Sequence, residues 1–386
     1  MNENRTVSFW ERWLRDWTRR VGLRSPQLAS DEAPRKSILV FRTGQLGDTL
    51  VALPAIHALK ARHRRDELIL LTDKHPGKGY VSSWDILGPT GWFEKVIFYE
   101  PERLNWRSPR VAFETIRSIR RTRTEVVYNL MPSRNPWQWF RDQLFFRCVV
   151  GAQECHSRGV HRSPPRRPNQ RLPRVEPEWR VLFEVIPGAK LAHFDLRSLI
   201  HRPDFDRAAG LLKSLVGNNS IQFVALGPGS KMPSKVWPEE RYIDLVQRLL
   251  ARFNNTHFII LGGKEDEAIA KRISSAVGTR VHSFAGNSSV MESAAILATC
   301  KAYIGNDTGT MHLAAMVGVP CVALFSARDL PGRWDPYGDN HSILRREVAC
   351  EGCMLRVCSV EANKCLRQIS VDDTFSASAR VLSALH

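Results

Sequence analysis

Apolar runs of strand length alternate along this chain with segments whose apolar residues recur at helical spacing. The pattern predicts strands at 38–41, 68–72, 95–98 and 126–130, with helices over 49–62, 111–121 and 137–148 between or after them. A second set follows, with strands at 221–226, 257–262, 302–304 and 319–325 and helices over 205–216, 238–253, 265–277, 290–299 and 311–316. Strands alternating with helices imply parallel sheets covered on both faces. The chain therefore reads as α/β with two Rossmann-like domains: 37–205, then 206–370, with a final helix over 372–385 that can cross back to the first. Pro54 is placed in the first turns of its helix, where proline is tolerated.

The loops that follow the strands carry the polar chemistry. Ligands of open α/β sheets collect at the carboxyl ends of the strands. Three such loops stand out: 42–48, 227–235 and 305–309. Gly227, Gly229 and Gly309 let a ligand approach the backbone, Lys231 and Lys235 supply positive charge, and free amides at a helix start suit phosphate. Asp307 and Thr308 have the residue types that cap the helix after them. Asp48 lies in the opposite domain, where a carboxylate can accept a proton from a hydroxyl; the alternative for it is capping its own helix. Gly44 and Gly47 do not complete a GxGxxG dinucleotide fingerprint, and no acidic residue follows at the usual distance, which excludes a nicotinamide-binding reading.

Charge narrows the partners. A net charge of +17 points to nucleic acid, an anionic membrane face or phosphorylated small molecules. Residues 1–24 place Phe9, Trp10, Trp13, Leu14 and Trp17 at helical spacing with Arg12, Arg15, Arg19 and Arg20 between them. That is the composition of a helix in a membrane interface; the competing reading is a helix packed on the protein's own surface. Residues 25–36 read as a linker. No aromatic-studded basic stripe appears in the folded part, so nucleic acid is the disfavoured partner. Without a spanning apolar run or a signal-peptide core, the expected location is cytoplasmic.

The basic, proline-rich stretch 156–180 reads as a loop that recognises an anionic group or as a solvated insertion. Cys350, Cys353, Cys358 and Cys365 are spaced to hold a structural zinc or an iron–sulfur cluster, or to remain free or form disulfides. The scattered Cys148, Cys155, Cys300 and Cys321 read as small core residues.

Together, Arg42 to Asp48 followed by Leu53-Pro54-Ala55, Pro228-Gly229 with Pro233-Ser234-Lys235-Val236-Trp237-Pro238, and Gly305 to Gly309 with Met311-His312-Leu313-Ala314-Ala315 resemble the three signature loops of the lipopolysaccharide heptosyltransferases, glycosyltransferase family 9. Pro336-Tyr337-Gly338 also fits, and the resemblance runs from Ser37 to the C-terminus. It implies a GT-B fold: an acceptor domain and a nucleotide-sugar domain face each other across a cleft. The reaction implied is an inverting, metal-independent transfer, most often from ADP-heptose, to a lipopolysaccharide core or similar anionic glycolipid at the inner membrane face. The resemblance makes Asp48 the general base and Lys235 the group that stabilises the leaving diphosphate. Gly227, Gly229, Lys231, Ser234, Glu265, Asp307, Thr308, Gly309 and His312 would line the donor site, Glu265 at the ribose and His312 as a contact or a structural support. Arg42, Thr43, Gly44 and Gln45 would face the acceptor. The family commonly has small hydroxyl residues where this chain has Gly44 and Gln45, and Lys231 is an additional charge. A transferase of the same fold with a protein or other glycan as acceptor, or a non-catalytic nucleotide binder, are the alternatives.

Overall fold

The structure is a computed structural model that describes residues 35–75, 80–103, 109–132, 135–159, 171–189, 193–217, 221–359 and 362–384. The Trp/Arg-rich N-terminal segment and its linker lie outside these residues. Residues Lys36–His386 form one compact unit.

The first sheet is built from β1 (Ser37–Phe41), β2 (Glu67–Asp73), β3 (Lys95–Tyr99), β4 (Val126–Asn129) and β5 (Glu154–Ser157), in the order β3-β2-β1-β4-β5. Its longer helices are α1 (Leu46–Arg62), α2 (Pro109–Arg121) and α3 (Pro136–Leu144), the last continuing as a π-turn over Phe145–Val150. After α4 (Arg202–Val216) come β6 (Gln222–Gly227), α5 (Glu239–Arg252), β7 (Thr256–Ile260), α6 (Glu267–Val277), β8 (Val281–Ser283), α7 (Val290–Thr299), β9 (Ala302–Asn306), α8 (Gly309–Met316), β10 (Cys321–Phe325), β11 (Ser342–Arg345) and α9 (Val371–Ser383). The second sheet runs β11-β10-β9-β6-β7-β8. Every strand pair in both sheets is parallel.

Parallel strands buried on both faces need near-continuous apolar runs, and β1, β2, β6, β7, β9 and β10 have them. Strand order reverses between β1 and β4 in the first sheet and between β6 and β9 in the second. Those reversals open a crevice at the strand ends, and the loops 42–45, 228–235 and 307–308 all emerge there.

Three differences from the sequence reading matter. Helix α1 starts at Leu46, not Thr49, because Gln45 and Asp48 form a capping box. Asp48 is therefore in the first helical turn and Pro54 is mid-helix, where its ring removes one backbone donor. The final helix α9 packs on α5 and against β9, β10 and β11 rather than crossing back; its buried Ala377 and Leu382 belong to the second sheet's core. The short strands β5, β8 and β11 were absent from the sequence reading.

Residues 174–189 do bridge the two sheets. Val175 N donates to the Pro331 carbonyl and Glu178 N to that of Arg333, both at 2.8 Å. Trp179, Leu182 and Phe183 bury themselves in a cluster that also holds Leu50 and Leu53 of α1 and Met311 and Leu313 of α8. This shared apolar cluster holds α1 and α8 together, and it fixes where their first residues meet.

Candidate active site

At the first crevice, Arg42 is 2% exposed and binds the Leu130 carbonyl at 2.6 Å through Nη1 and the Asp48 carbonyl through Nη2. Expected at the acceptor, it is a buried strut tying the loop after β1 to the end of β4. Burial draws its pKa down, while Asp48, Glu178 and Asp73 oppose that. Thr43 contacts the Met131 sulfur at 3.3 Å through its amide and its hydroxyl. Gly44 adopts φ +121°, and a Cβ there would lie 2.6 Å from that of Asp48. Glycine is required twice over, for backbone conformation and for space. Asp48 Oδ2 accepts from Gln45 N at 3.0 Å. The carboxylate thus does cap its helix, through one of its two oxygens.

Behind this loop lies a network that the sequence reading missed. Asp73, 5% exposed at the end of β2, accepts from Gly44 N at 3.3 Å, from the Tyr80 hydroxyl at 2.7 Å and from His75 Nε2 at 3.0 Å. His75 Nδ1 meets Glu102 Oε1 at 2.7 Å. A ring with a carboxylate at both nitrogens satisfies both only as an imidazolium. Burial pulls the His75 pKa down, but the bonds to Glu102 and Asp73 outweigh it and the net direction is up.

At the second crevice, Asn306 is the organiser. Fully buried at the end of β9, it donates to the Pro228 carbonyl at 2.7 Å and accepts from Trp237 N at 3.1 Å and the Tyr242 hydroxyl at 3.0 Å. One side chain thereby locks loop 228–235 onto the start of α8. Lys235 Nζ lies 2.6 Å from Asp307 Oδ2, the two side chains 13% and 6% exposed. Thr308 occupies the cap position of α8 without a side-chain capping bond, and Asp307 is engaged by Lys235 instead, so neither caps as expected. The Ser234 hydroxyl donates to the Leu355 carbonyl at 2.7 Å, which fastens the loop to the cysteine-bearing segment.

The glycines of this half serve packing first. A Cβ at Gly227 would fall 1.8 Å from the Tyr303 hydroxyl and one at Gly229 1.8 Å from Asp266 Oδ1. Lys231 and Glu265 sit 3.6 Å apart at the outer edge of the loop. Asp266, overlooked in the sequence beside Glu265, reaches in between Gly229 and Gly262; burial raises its pKa. A cavity of about 420 Å³ flanks this loop, bounded by Ser230, Pro233, Trp237, Ile269, Arg272 and Asn363. It includes neither Asp48 nor His312.

The two crevices meet. A methyl added at Gly47 would lie 3.4 Å from His312 Cδ2 and 3.6 Å from Gly309 Cα, and one added at Gly309 would be 2.9 Å from the Leu46 side chain. The N-termini of α1 and α8 therefore converge, and each contributes roughly half a positive charge. Beside them His312 is 3% exposed, with its pKa lowered to about 4 by burial, partly offset by Asp307 and reinforced by Lys235 and His341. It is a neutral imidazole at pH 7, and its Nδ1 has no hydrogen-bond partner among the described residues. Amide-lined helix starts, a lysine paired with Asp307 and an uncharged imidazole thus sit together beside the first turn that holds Asp48.

Comparison with known proteins shows what this chain is similar to. Residues 193–364 match the family model described as glycosyltransferase family 9 (heptosyltransferase). The lipooligosaccharide heptosyltransferase 2 of Haemophilus influenzae is 29% identical over 149 residues, 37% of this chain and 41% of that protein. That part of the chain is similar to glycosyltransferase family 9. The match spans less than half the length of that curated relative. Two solved structures extend the likeness to most of the chain at the level of fold. A family 9 glycosyl transferase from Veillonella parvula gives a TM-score of 0.68 at 19% identity, covering 90% of this chain and 97% of that one. The E. coli ADP-heptose lps heptosyltransferase II gives 0.63 at 16%, covering 90% and 99%. The architecture is GT-B, as the motifs implied.

Two other expectations change in the structure. The described arginines of the basic stretch are taken by the chain's own carboxylates: Arg158 by Glu178 at 3.1 Å, Arg171 by Glu347 at 2.7 Å, and Arg174 by Asp335. Arg162, Arg166 and Arg167 fall outside the described residues. Cys350, Cys353, Cys358 and Cys365 are all free thiols. They lie near enough for their neighbours to add to the burial that raises the Cys350 and Cys365 pKa values. Among the described residues no three His, Cys, Asp or Glu side chains are placed to hold a metal ion. Cys155, Cys300 and Cys321 are buried as expected, whereas Cys148 is exposed.

Proposed function

We propose that this chain is an inverting glycosyltransferase that moves a heptose or related sugar from a nucleotide-sugar, ADP-heptose, to a lipopolysaccharide core or similar anionic glycolipid. The observation that carries the reading is the meeting of the two helix starts: Gly47, next to Asp48, lies against Gly309 and His312, beside Lys235 and Asp307.

In this mechanism Asp48 takes the proton from the acceptor hydroxyl as its oxygen attacks the anomeric carbon and the bond to the diphosphate breaks. The oxygen of Asp48 not bonded to Gln45 N is the one free to do so. Charge builds on the departing diphosphate, where Lys235 and the amides at the start of α8 are positioned to meet it. The orphaned Nδ1 of a neutral His312 can bond the donor without adding charge. Glu265 is assigned to the ribose hydroxyls, with Lys231 alongside. The protein would work at the inner face of the cytoplasmic membrane, where the acceptor is anchored; no helix of the described residues is long and apolar enough to cross a membrane.

Release of ADP from ADP-heptose with deeply truncated lipopolysaccharide as acceptor, comparing wild type with Asp48→Asn, tests the proposal. Acceptor-dependent release should fall by about 10²–10⁴ in the variant, with donor binding retained. Donor binding without turnover on any core acceptor would move the function to another acceptor or to a binding role.

A further inference from the structure

Helix α3 carries an uncovered apolar stripe. Trp137, Phe140 and Leu144 are 72%, 40% and 50% exposed, and their spacing of three and four puts them on one face. The Trp137 and Phe140 rings stack with centroids 6.0 Å apart, so the stripe is continuous. Helix α2 lies alongside: Arg120 Nε donates to the Val149 carbonyl, in the turn after α3, at 2.7 Å. Its Phe113 is 65% exposed.

Basic side chains surround these groups. Residues 109–150 contain eight arginines against three carboxylates. Arg110, Arg117, Arg121 and Arg141 are exposed; two of the carboxylates, Glu114 and Asp142, sit against Arg110 and Arg141. Protruding aromatic and leucine side chains within an arginine-rich rim suit a lipid surface with negative headgroups. The position is also informative. Helix α3 leaves the carboxyl end of β4, whose next residues Leu130 and Met131 contact Arg42 and Thr43 of the loop that leads into α1 and its first-turn Asp48.

We infer that the α2–α3 face is the surface by which this protein lies on an anionic bilayer. Trp137, Phe140 and Leu144 enter the boundary between headgroups and acyl chains, and the arginines contact lipid phosphates. This rests on the reading that the acceptor is a membrane-held glycolipid: docking by this face sets the rim of the Asp48 crevice against the bilayer that presents it.

The test is co-sedimentation of the full chain with phosphatidylcholine vesicles, with and without phosphatidylglycerol, in the absence of donor and acceptor. Binding is thereby read independently of transfer. Wild type should prefer the anionic vesicles, and the triple variant Trp137→Ser/Phe140→Ser/Leu144→Ser should lose about tenfold or more of that binding with unchanged circular dichroism. The variant Arg117→Glu/Arg121→Glu, with the apolar stripe intact, should lose binding to anionic vesicles selectively. Wild-type binding by both variants would overturn the inference, whichever other segment then holds the lipid. A shift of the triple variant to a smaller species in sedimentation velocity would also overturn it, by making the stripe a contact between copies.

Discussion

The two sheets share a strand order at their centres and place a glycine-bearing loop and a helix start at the same topological point, yet they make opposite surfaces there. The first sheet ends in carboxylates: Asp48 on the helix and, behind it, Asp73 bound to Gly44, Tyr80 and His75. The second ends in an ion pair, a neutral imidazole and a buried amide, with Asn306 holding the loop that carries Lys235. On the proposed reading, one scaffold supplies a proton acceptor on one wall and an anion site on the other. The difference lies in a handful of side chains at the strand ends, which is where the fold leaves sequence free to vary without disturbing the core.

If the walls divide the work this way, changes on the second should disturb donor binding and fold together, whereas Asp48→Asn should act on turnover. Lys235→Ala leaves the Asp307 carboxylate nearly buried without its counter-charge, a loss of about 3 kcal/mol, and transfer should fall by about 10²–10³. Lys235→Ala/Asp307→Ala should recover most of the thermal stability and none of the turnover; recovery of turnover would show that Lys235 serves the fold alone.

A pH titration of stability sharpens the contrast between buried His312 and partly exposed His75. The folded pKa of His312, about 4, lies below the ordinary 6.5. The unfolded chain then binds the extra proton first, so stability should drop by roughly 3 kcal/mol as pH falls from 6.5 through 4. In His312→Gln that part of the slope should vanish in denaturant melts. His75 has the opposite sign: its folded pKa is raised, so its contribution is complete below 6.5 and is lost as pH rises through the folded value. The gap in melting temperature between wild type and His75→Gln should thus be widest near about pH 6 and close towards alkaline pH, a shift of a few degrees. A gap that widened with pH would mean that His75 is a neutral imidazole between the Glu102 and Asp73 carboxylates.

Much of this was legible without coordinates because it is local. Apolar periodicity located the long strands and helices, and the glycine-bearing loops stood out because Lys235, Asp307 and Asp48 fall at strand ends. The start of α1 was misplaced although its signal was present: Gln45 followed three residues later by Asp48 is a capping pair, but Gly47 between them suggested a loop. Strands β5, β8 and β11, of four, three and four residues, are too short for periodicity to register.

The sequence by itself determined the alternation of elements, the three loops and their residue types, because period and turn chemistry depend on neighbours along the chain. Only the tertiary structure decided that Leu46 and Gly47 touch Gly309 and His312, that Arg42 and Asn306 are internal struts, that Asp73 supports Gly44, and that the arginines near 171 face carboxylates of the same chain. Those outcomes depend on burial and on partners far away in sequence. Desolvation and pairing, which set the charge of His312 and His75, exist only once the sheets are packed.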